Sequence, residues 1–210
     1  MISIVNYGSG NIQAISNILD QLRIEFVVSA RPEDLSRADR VILPGVGAFD
    51  QAMHELDRSG LRQALDKAVL EDKKPILGIC VGMQLLARSS EEGKREGLGW
   101  IDGDVKKFDN VDVPSATYLP HMGWNSVRPL AASALFAGID LDAGYYFLHS
   151  YYFRCNDDAD QLAITDYGIQ FTSVVHRGNI YGVQFHPEKS HLAGVQLIRN
   201  FAESDSSATR

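Results

Sequence analysis

Cys80 lies between two glycines in the run Pro75-Ile76-Leu77-Gly78-Ile79-Cys80-Val81-Gly82-Met83-Gln84-Leu85-Leu86. The apolar residues before it read as a buried strand and Met83 to Ala87 reads as a helix, so Cys80 stands at the join. G-x-C-x-G at such a junction is the cysteine form of a nucleophile elbow. A sharp strand-to-helix turn crowds the flanking side chains, which is why glycine is needed there. The turn itself lifts the thiol above the sheet edge. Unpaired N–H groups at a helix start favour an anionic sulfur, and the Val81 N–H is placed to hold an oxyanion. A lone cysteine is more often a plain core residue. The glycines and the junction overturn that default for Cys80, whereas Cys155 has no such setting and reads as structural.

A thiol nucleophile needs a base, and the base needs a group that fixes its tautomer. The chain has six histidines. Only His186 ends an apolar strand with an acid at a useful offset, in Tyr181-Gly182-Val183-Gln184-Phe185-His186-Pro187-Glu188. Residues two apart on an extended segment point the same way, so Glu188 can orient His186. His54 sits in an amphipathic stretch and reads as a surface residue; His176 and His191 carry no nearby chemistry. Upstream, Val41-Ile42-Leu43-Pro44-Gly45-Val46-Gly47-Ala48-Phe49 is a strand and a glycine-rich turn. Alone it reads as an ordinary connection. Beside an elbow it becomes the second half of an oxyanion hole, with donors around Val46 and Gly47, each such donor being worth ~3 to 4 kcal/mol in acyl transfer. Gly8-Ser9-Gly10 hints at a dinucleotide fingerprint, but its third glycine would fall at Gln13. No P-loop motif is present either, so nucleotide binding has no support.

Parallel strands must position these groups. Ile2 to Val5, Phe26 to Val28, Val41 to Leu43 and Pro75 to Ile79 are short apolar runs. Between them Asn11 to Leu22, Ala48 to Met53 and Leu61 to Leu70 have helical spacing. The alternation predicts a doubly wound, mostly parallel α/β sheet with helices on both faces. After Trp100 the texture changes to short β-like runs at Val105 to Phe108, Ser126-Val127, Tyr145 to Leu148, Leu162 to Ile164, Gln170 to Val175 and Ile180 to Phe185. These predict added antiparallel strands, closed by a helix from about Gly194 to Phe201. Residues 1–202 read as one domain and residues 203–210 as a flexible tail.

The 210 residues are 45% hydrophobic and 22% charged, which excludes a disordered chain. A net charge of -7 without a basic stripe argues against a nucleic-acid partner. No C-x-x-C or His/Cys cluster has metal-ligand spacing. No apolar run approaches the roughly 20 residues of a membrane span, and the start lacks a signal-peptide pattern. A soluble cytoplasmic enzyme with reduced thiols is the expectation.

The P-G-x-G loop, then G-x-C-x-G-M-Q, then H-P-E, in this order over nearly the whole chain, resemble the class I glutamine amidotransferases. Four further segments narrow the resemblance to one branch: Asn6-Tyr7-Gly8-Ser9-Gly10-Asn11, Pro120-His121-Met122-Gly123-Trp124-Asn125, Tyr146-Phe147-Leu148-His149-Ser150-Tyr151 and His186-Pro187-Glu188-Lys189-Ser190. Members of that branch form a heterodimer with a (β/α)8-barrel cyclase subunit, which receives their ammonia. The resemblance implies L-glutamine as substrate, with no cofactor and no metal. It makes Cys80, His186 and Glu188 the catalytic triad, and Val46, Gly47 and Val81 the oxyanion donors. Gly47, Gln84, Glu92, Ser150 and Tyr151 would bind glutamine, Glu92 taking its α-ammonium. Asn11, His121, Met122, Trp124, Asn125, Tyr146 and Lys189 fall at positions near the partner. Without the resemblance, Trp124 would be a core aromatic and Lys189 a solvated charge. Val81 replaces a more usual leucine, a change without consequence where the backbone acts. Glutamine hydrolysis is expected to stay low until the partner binds its own substrate, with Gly45-Val46-Gly47 as the switched segment. Three rivals remain open at this stage: a glutaminase serving another synthase, a non-catalytic subunit of the same fold, and a cysteine peptidase.

Overall fold

The computed structural model describes residues 1–108 and 118–204. Strands β1 (Ile2–Val5), β2 (Phe26–Ser29), β3 (Arg40–Gly45) and β4 (Ile76–Cys80) run parallel in the order β2-β1-β3-β4. β1, β3 and β4 are almost wholly buried. A strand covered on both faces has no polar side to show, which is why these three are dominated by apolar residues, the buried Ser3 of β1 having its hydroxyl hydrogen-bonded to that of Ser29. Helices α1 (Ile12–Gln21), α2 (Pro32–Arg37), α3 (Phe49–Ser59) and α4 (Arg62–Asp66) connect them. The chain moves outward from β1 to β2, then returns past β1 to β3. Right-handed crossovers therefore put α1 on one face and α2 to α4 on the other. α3 buries Phe49, Ala52, Met53 and Leu56, a stripe at helical spacing. The helical run expected from Leu61 to Leu70 is α4 followed by a wider π turn over Lys67–Glu71, closed by Asp72 N–H donating to the Lys67 carbonyl.

After β4 comes α5 (Val81–Gln84), a single turn. The following strands are β5 (Ser89–Ser90), β6 (Gly103–Lys107), β7 (His121–Asn125), β8 (Arg128–Pro129), β9 (Tyr145–His149), β10 (Tyr151–Cys155), β11 (Gln161–Tyr167), β12 (Ile169–Arg177) and β13 (Ile180–Val183). β13 joins the main sheet parallel to β4; β12, β10 and β6 extend it antiparallel. β7 and β9 form a separate antiparallel ribbon. The expected class holds: a mostly parallel core with antiparallel additions. The last helix, α6 (His191–Glu203), is longer than the sequence predicts. Residue 203, assigned to the tail, is helical, and Arg40 donates to the Ser204 carbonyl. Residues 205–210 of the expected tail lie outside the described residues.

β3, β4 and β13 are neighbours, and Gly45 is in register with Cys80. Their C-terminal ends therefore deliver the glycine-rich loop, the cysteine and the histidine to one edge, where open α/β sheets place their sites. The approach is close. A Cβ at Gly82 would fall 1.9 Å from the Leu43 carbonyl oxygen, and one at Gly78 would fall 2.7 Å from that of Gly82. Backbone cannot yield as a flexible side chain can. Gly82→Ala is expected to lower the unfolding free energy by about 3 kcal/mol or more in denaturant titration. Gly47→Ala, where the added Cβ meets nothing within 4 Å, should lose only the ~1 to 3 kcal/mol of its left-handed backbone.

Candidate active site

Cys80 has φ 54° and ψ −114°, a conformation that side-chain-bearing residues rarely adopt. The strain turns the chain abruptly from β4 into α5. Cys80 is 4% exposed and lines a cleft of about 460 Å³. The same cleft is lined by Asn11, Val46, Gly47, Val81, Gln84, Glu92, Ser150, Tyr151, His186 and Lys189. All the triad and glutamine-binding positions read from the sequence except Glu188 thus meet in one cavity wall, and Glu188 stands directly behind it.

His186 Nδ1 lies 2.8 Å from Glu188 Oε1, and Asn11 Nδ2 donates to that same oxygen at 2.8 Å. The two residues are not on an extended segment as the alternation argument requires. Pro187–Lys189 forms a 3₁₀ turn, and Glu188 reaches back to the ring from inside it. The turn is fixed at both ends. His186 N–H donates to the Tyr146 carbonyl, while Ser190 Oγ donates to the His186 carbonyl and accepts from Tyr146 N–H. Burial disfavours a charged imidazole. The hydrogen bonds and charges of Cys80 and Glu188 outweigh burial and hold the His186 pKa up, to about 10. Glu188 is the mirror case. Burial pushes its pKa up, but His186 and Asn11 hold it below the usual carboxylate value. Both partners favour the ion pair.

Gln184 is a site residue that the sequence reading passed over. Its Nε2 lies 3.8 Å from Cys80 Sγ, and its Oε1 accepts from Gln84 Nε2 at 3.0 Å. Gln84 also donates to the Tyr151 carbonyl at 3.1 Å. The signal was available in the sequence: Gln184 is a polar residue inside the apolar run Ile180 to Phe185, two positions before His186, although β13 itself ends at Val183.

In the glycine-rich loop, Gly47 has φ +87° and Val46 is 41% exposed. Val46 N–H donates to Ser9 Oγ at 3.0 Å, and Ser9 Oγ donates back to the Val46 carbonyl at 2.9 Å. The Val46 N–H expected to face an oxyanion is therefore engaged with Ser9 in this conformation. Glu92 Oε2 accepts from Phe49 N–H at 2.8 Å, which ties the carboxylate to the start of α3.

The positions assigned to a partner surface divide. Met122 (65%) and Trp124 (48%) are exposed on β7, Met122 in register with the exposed Leu148 of β9, and Leu192 on α6 is exposed too. Trp124 stacks on His191 and meets the Tyr146 edge, and Lys189 Nζ lies 5.5 Å above the Tyr146 ring. His121 instead points inward, 2% exposed, stacked on Phe147 and Tyr167. It belongs to a directed chain. Asn125 Nδ2 donates to His121 Nε2, His121 Nδ1 to His149 Nε2, and His149 Nδ1 to the Tyr151 carbonyl. This assignment of tautomers satisfies every ring nitrogen. Burial lowers both pKa values, His121 to about 4 and His149 to about 3, so both rings stay neutral. The chain links the outer ribbon to the cleft wall. Cys155 takes no part in the site; burial and Asp160 push its thiol up to about 12.

Comparison with known proteins gives the family. Residues 3–204 match the family model described as glutamine amidotransferase class-I. The imidazole glycerol phosphate synthase subunit HisH of Bdellovibrio bacteriovorus is 51% identical, over 97% of this chain and 100% of its own. That of Leptospira interrogans is 47% identical, over 96% and 99%. A crystal structure of a glutamine amidotransferase shares the fold with a TM-score of 0.71 at 19% identity, covering 96% of this chain and 97% of its own. The glutaminase domain of Trypanosoma brucei CTPS with bound acivicin gives 0.62 at 17% identity, covering 97% and 94%. The chain belongs to the class I glutamine amidotransferase family, and within it to the branch of these HisH subunits.

Proposed function

We propose that the chain is the glutaminase subunit of an imidazole glycerol phosphate synthase. It hydrolyses L-glutamine at Cys80 and passes ammonia to a (β/α)8-barrel cyclase subunit. That subunit then forms imidazole glycerol phosphate and an aminoimidazole carboxamide ribotide in histidine biosynthesis. The observation that carries the reading is the convergence of Cys80 and His186 in one cleft, with Glu188 hydrogen-bonded behind His186, within a chain 51% identical to one HisH subunit over 97% of its length. Cytoplasmic action fits: among the described residues no helix is long and apolar enough to cross a membrane.

The Cys80 sulfur attacks the glutamine side-chain carbonyl, and the C=O electron pair moves onto oxygen. Val81 N–H and the Val46-Gly47 backbone hold that oxyanion. The oxyanion collapses, the C–N bond breaks, and His186 gives its proton to the leaving ammonia. A γ-glutamyl thioester remains. Water attacks it as His186 takes the water's proton; the C–S bond breaks and glutamate leaves. Gln84, Ser150 and Tyr151 hold the substrate, and Glu92 pairs with its α-ammonium. Met122, Trp124, Tyr146 and Lys189 present the face for the cyclase, backed by Asn11, His121 and Asn125.

The Ser9 contact supports a resting site in which the Val46 N–H is withheld. Binding of the cyclase and its phosphoribulosyl-formimino ligand then reorients the Val46 peptide, which its glycine neighbours permit at low cost. The test is the rate of glutamate release by the chain alone, with the cyclase, and with the cyclase plus ligand. The expected order is low, intermediate and high. Equal rates in all three would overturn the coupling, and no glutamate in any of them would overturn the glutaminase.

A further inference from the structure

Glu92 sits on a connection between β5 and β6 that has no regular structure of its own, yet its carboxylate must hold one position at the cleft. The carboxylate itself accepts from Phe49 N–H, and the connection that carries it is held by a polar stripe along α3. Asp50 accepts from Lys94 N–H at 3.0 and 2.9 Å through its two oxygens, and from Arg95 N–H at 2.9 Å. The consecutive N–H groups form a small concavity around the carboxylate, and these two hydrogen bonds hold the Asp50 pKa below its usual value. Arg95 returns to the same helix, reaching His54 Nδ1 at 3.2 Å and Asp57 at 3.4 Å. Residues 50, 54 and 57 fall on one side of a helix. The carboxylate lies close beneath the connection: a Cβ at Gly93 would lie 1.9 Å from Asp50 Oδ1, so an added methyl there would push the Asp50 carboxylate aside.

We propose that Asp50 is a positioning residue for substrate selection. It fixes the connection that carries Glu92, and so sets the enzyme's discrimination in favour of an α-amino acid amide. The proposal rests on the reading of Glu92 as the partner of the substrate α-ammonium. Asp50 acts only through backbone N–H groups, so its loss keeps the Phe49 contact to Glu92 but loosens the backbone that carries Glu92, without touching Cys80 or His186. A carboxylate that moves by an ångström or more loses most of a charge-assisted contact, while chemistry at the far end of the substrate proceeds unchanged.

The experiment uses the heterodimer with the cyclase and its ligand, and two substrates: L-glutamine, and glutaramate, which keeps the amide but lacks the α-ammonium. Asp50→Ala is expected to raise KM for L-glutamine about tenfold with kcat within twofold, and to leave kcat/KM for glutaramate unchanged. Asp50→Asn, which keeps one acceptor oxygen, should recover part of the loss. Gly93→Ala attacks the same contact from the other side and should reproduce the KM effect. The double variant should be no worse than the poorer single one, as for residues acting as a unit. Equal losses on both substrates, a fall confined to kcat, or additive effects in the double variant would each overturn the proposal. Glu92→Gln separates this from the underlying reading. If it leaves the L-glutamine KM unchanged, the assignment of Glu92 itself is wrong. If it raises KM while Asp50→Ala does not, only the role of Asp50 falls.

Discussion

Cys80→Ala in the heterodimer is expected to lower glutamine-dependent synthesis by about 10⁴-fold or more and to leave ammonia-dependent synthesis at its wild-type rate. The first half follows from the chemistry. Without sulfur no thioester forms, and the oxyanion donors alone retain only a residual rate. The second half follows from packing. Cys80 contributes one small buried side chain at the end of β4, and the residues proposed to face the partner lie on β7, β9 and the 3₁₀ turn Pro187–Lys189. Removing a single sulfur leaves that face intact, so added ammonia still reaches the cyclase. Loss of both activities together would mean that the variant fails to assemble; retention of the glutamine-dependent rate would remove Cys80 from the mechanism. A companion variant tests the strain. At φ 54° and ψ −114° any side chain is unfavourable. Cys80→Gly is thus expected to unfold at higher denaturant than Cys80→Ala, by the equivalent of ~1 kcal/mol or more. A natural enzyme that keeps a strained cysteine where glycine fits better does so for the thiol.

The parallel core was legible because β1, β3 and β4 are covered on both faces, and continuous burial writes continuous apolar runs. α2 was not legible, since its only buried residue is Leu35 and one apolar position carries no period. The segment after Cys80 misled in length. Met83, Leu85, Leu86 and Ala87 are all fully buried, but only one helical turn forms. A short buried run has the same composition whether helical or not. At the site, residue types and local spacing revealed Cys80, His186 and Glu188, because each sits in a local motif. The 3₁₀ turn that joins the last two did not show, since both an extended and a turned backbone satisfy His-Pro-Glu. Contacts across the chain were invisible for a simpler reason. Asn11 is 177 positions from Glu188, and the Asp50 contact with Lys94 spans 44. No local pattern encodes such pairs, so neither contact could be read from the sequence.

Glu188→Gln should lower glutamine hydrolysis by about 10² to 10⁴-fold with little change in structure. The variant is close to a pure charge deletion. Glu188 Oε1 accepts from both Asn11 and His186, and glutamine keeps an oxygen there. Oε2 accepts no hydrogen bond of ordinary geometry among the described residues, so an amide nitrogen in its place meets no opposing donor. What disappears is the negative charge that favours the imidazolium. The His186 pKa then falls from about 10 toward its ordinary value, because burial still disfavours the charged ring and one of its two compensating partners is neutral. The consequence for stability has a definite sign. A histidine whose pKa is raised on folding stabilises the protein fully below its unfolded pKa, near 6.5, and loses that contribution as pH rises through the folded value. Wild-type unfolding free energy should therefore decline between about pH 6.5 and 10, by an amount on the order of a few kcal/mol attributable to His186. The other groups titrating in that range are shared by both proteins, so the difference between their curves isolates the pair. Denaturant titrations of wild type and Glu188→Gln at several pH values give that difference directly. A flatter curve for the variant is the expected result. Parallel curves would show that Glu188 orients the ring through its hydrogen bond alone, and the activity loss would then have to come from geometry, which Glu188→Asp, shorter but still charged, would reproduce.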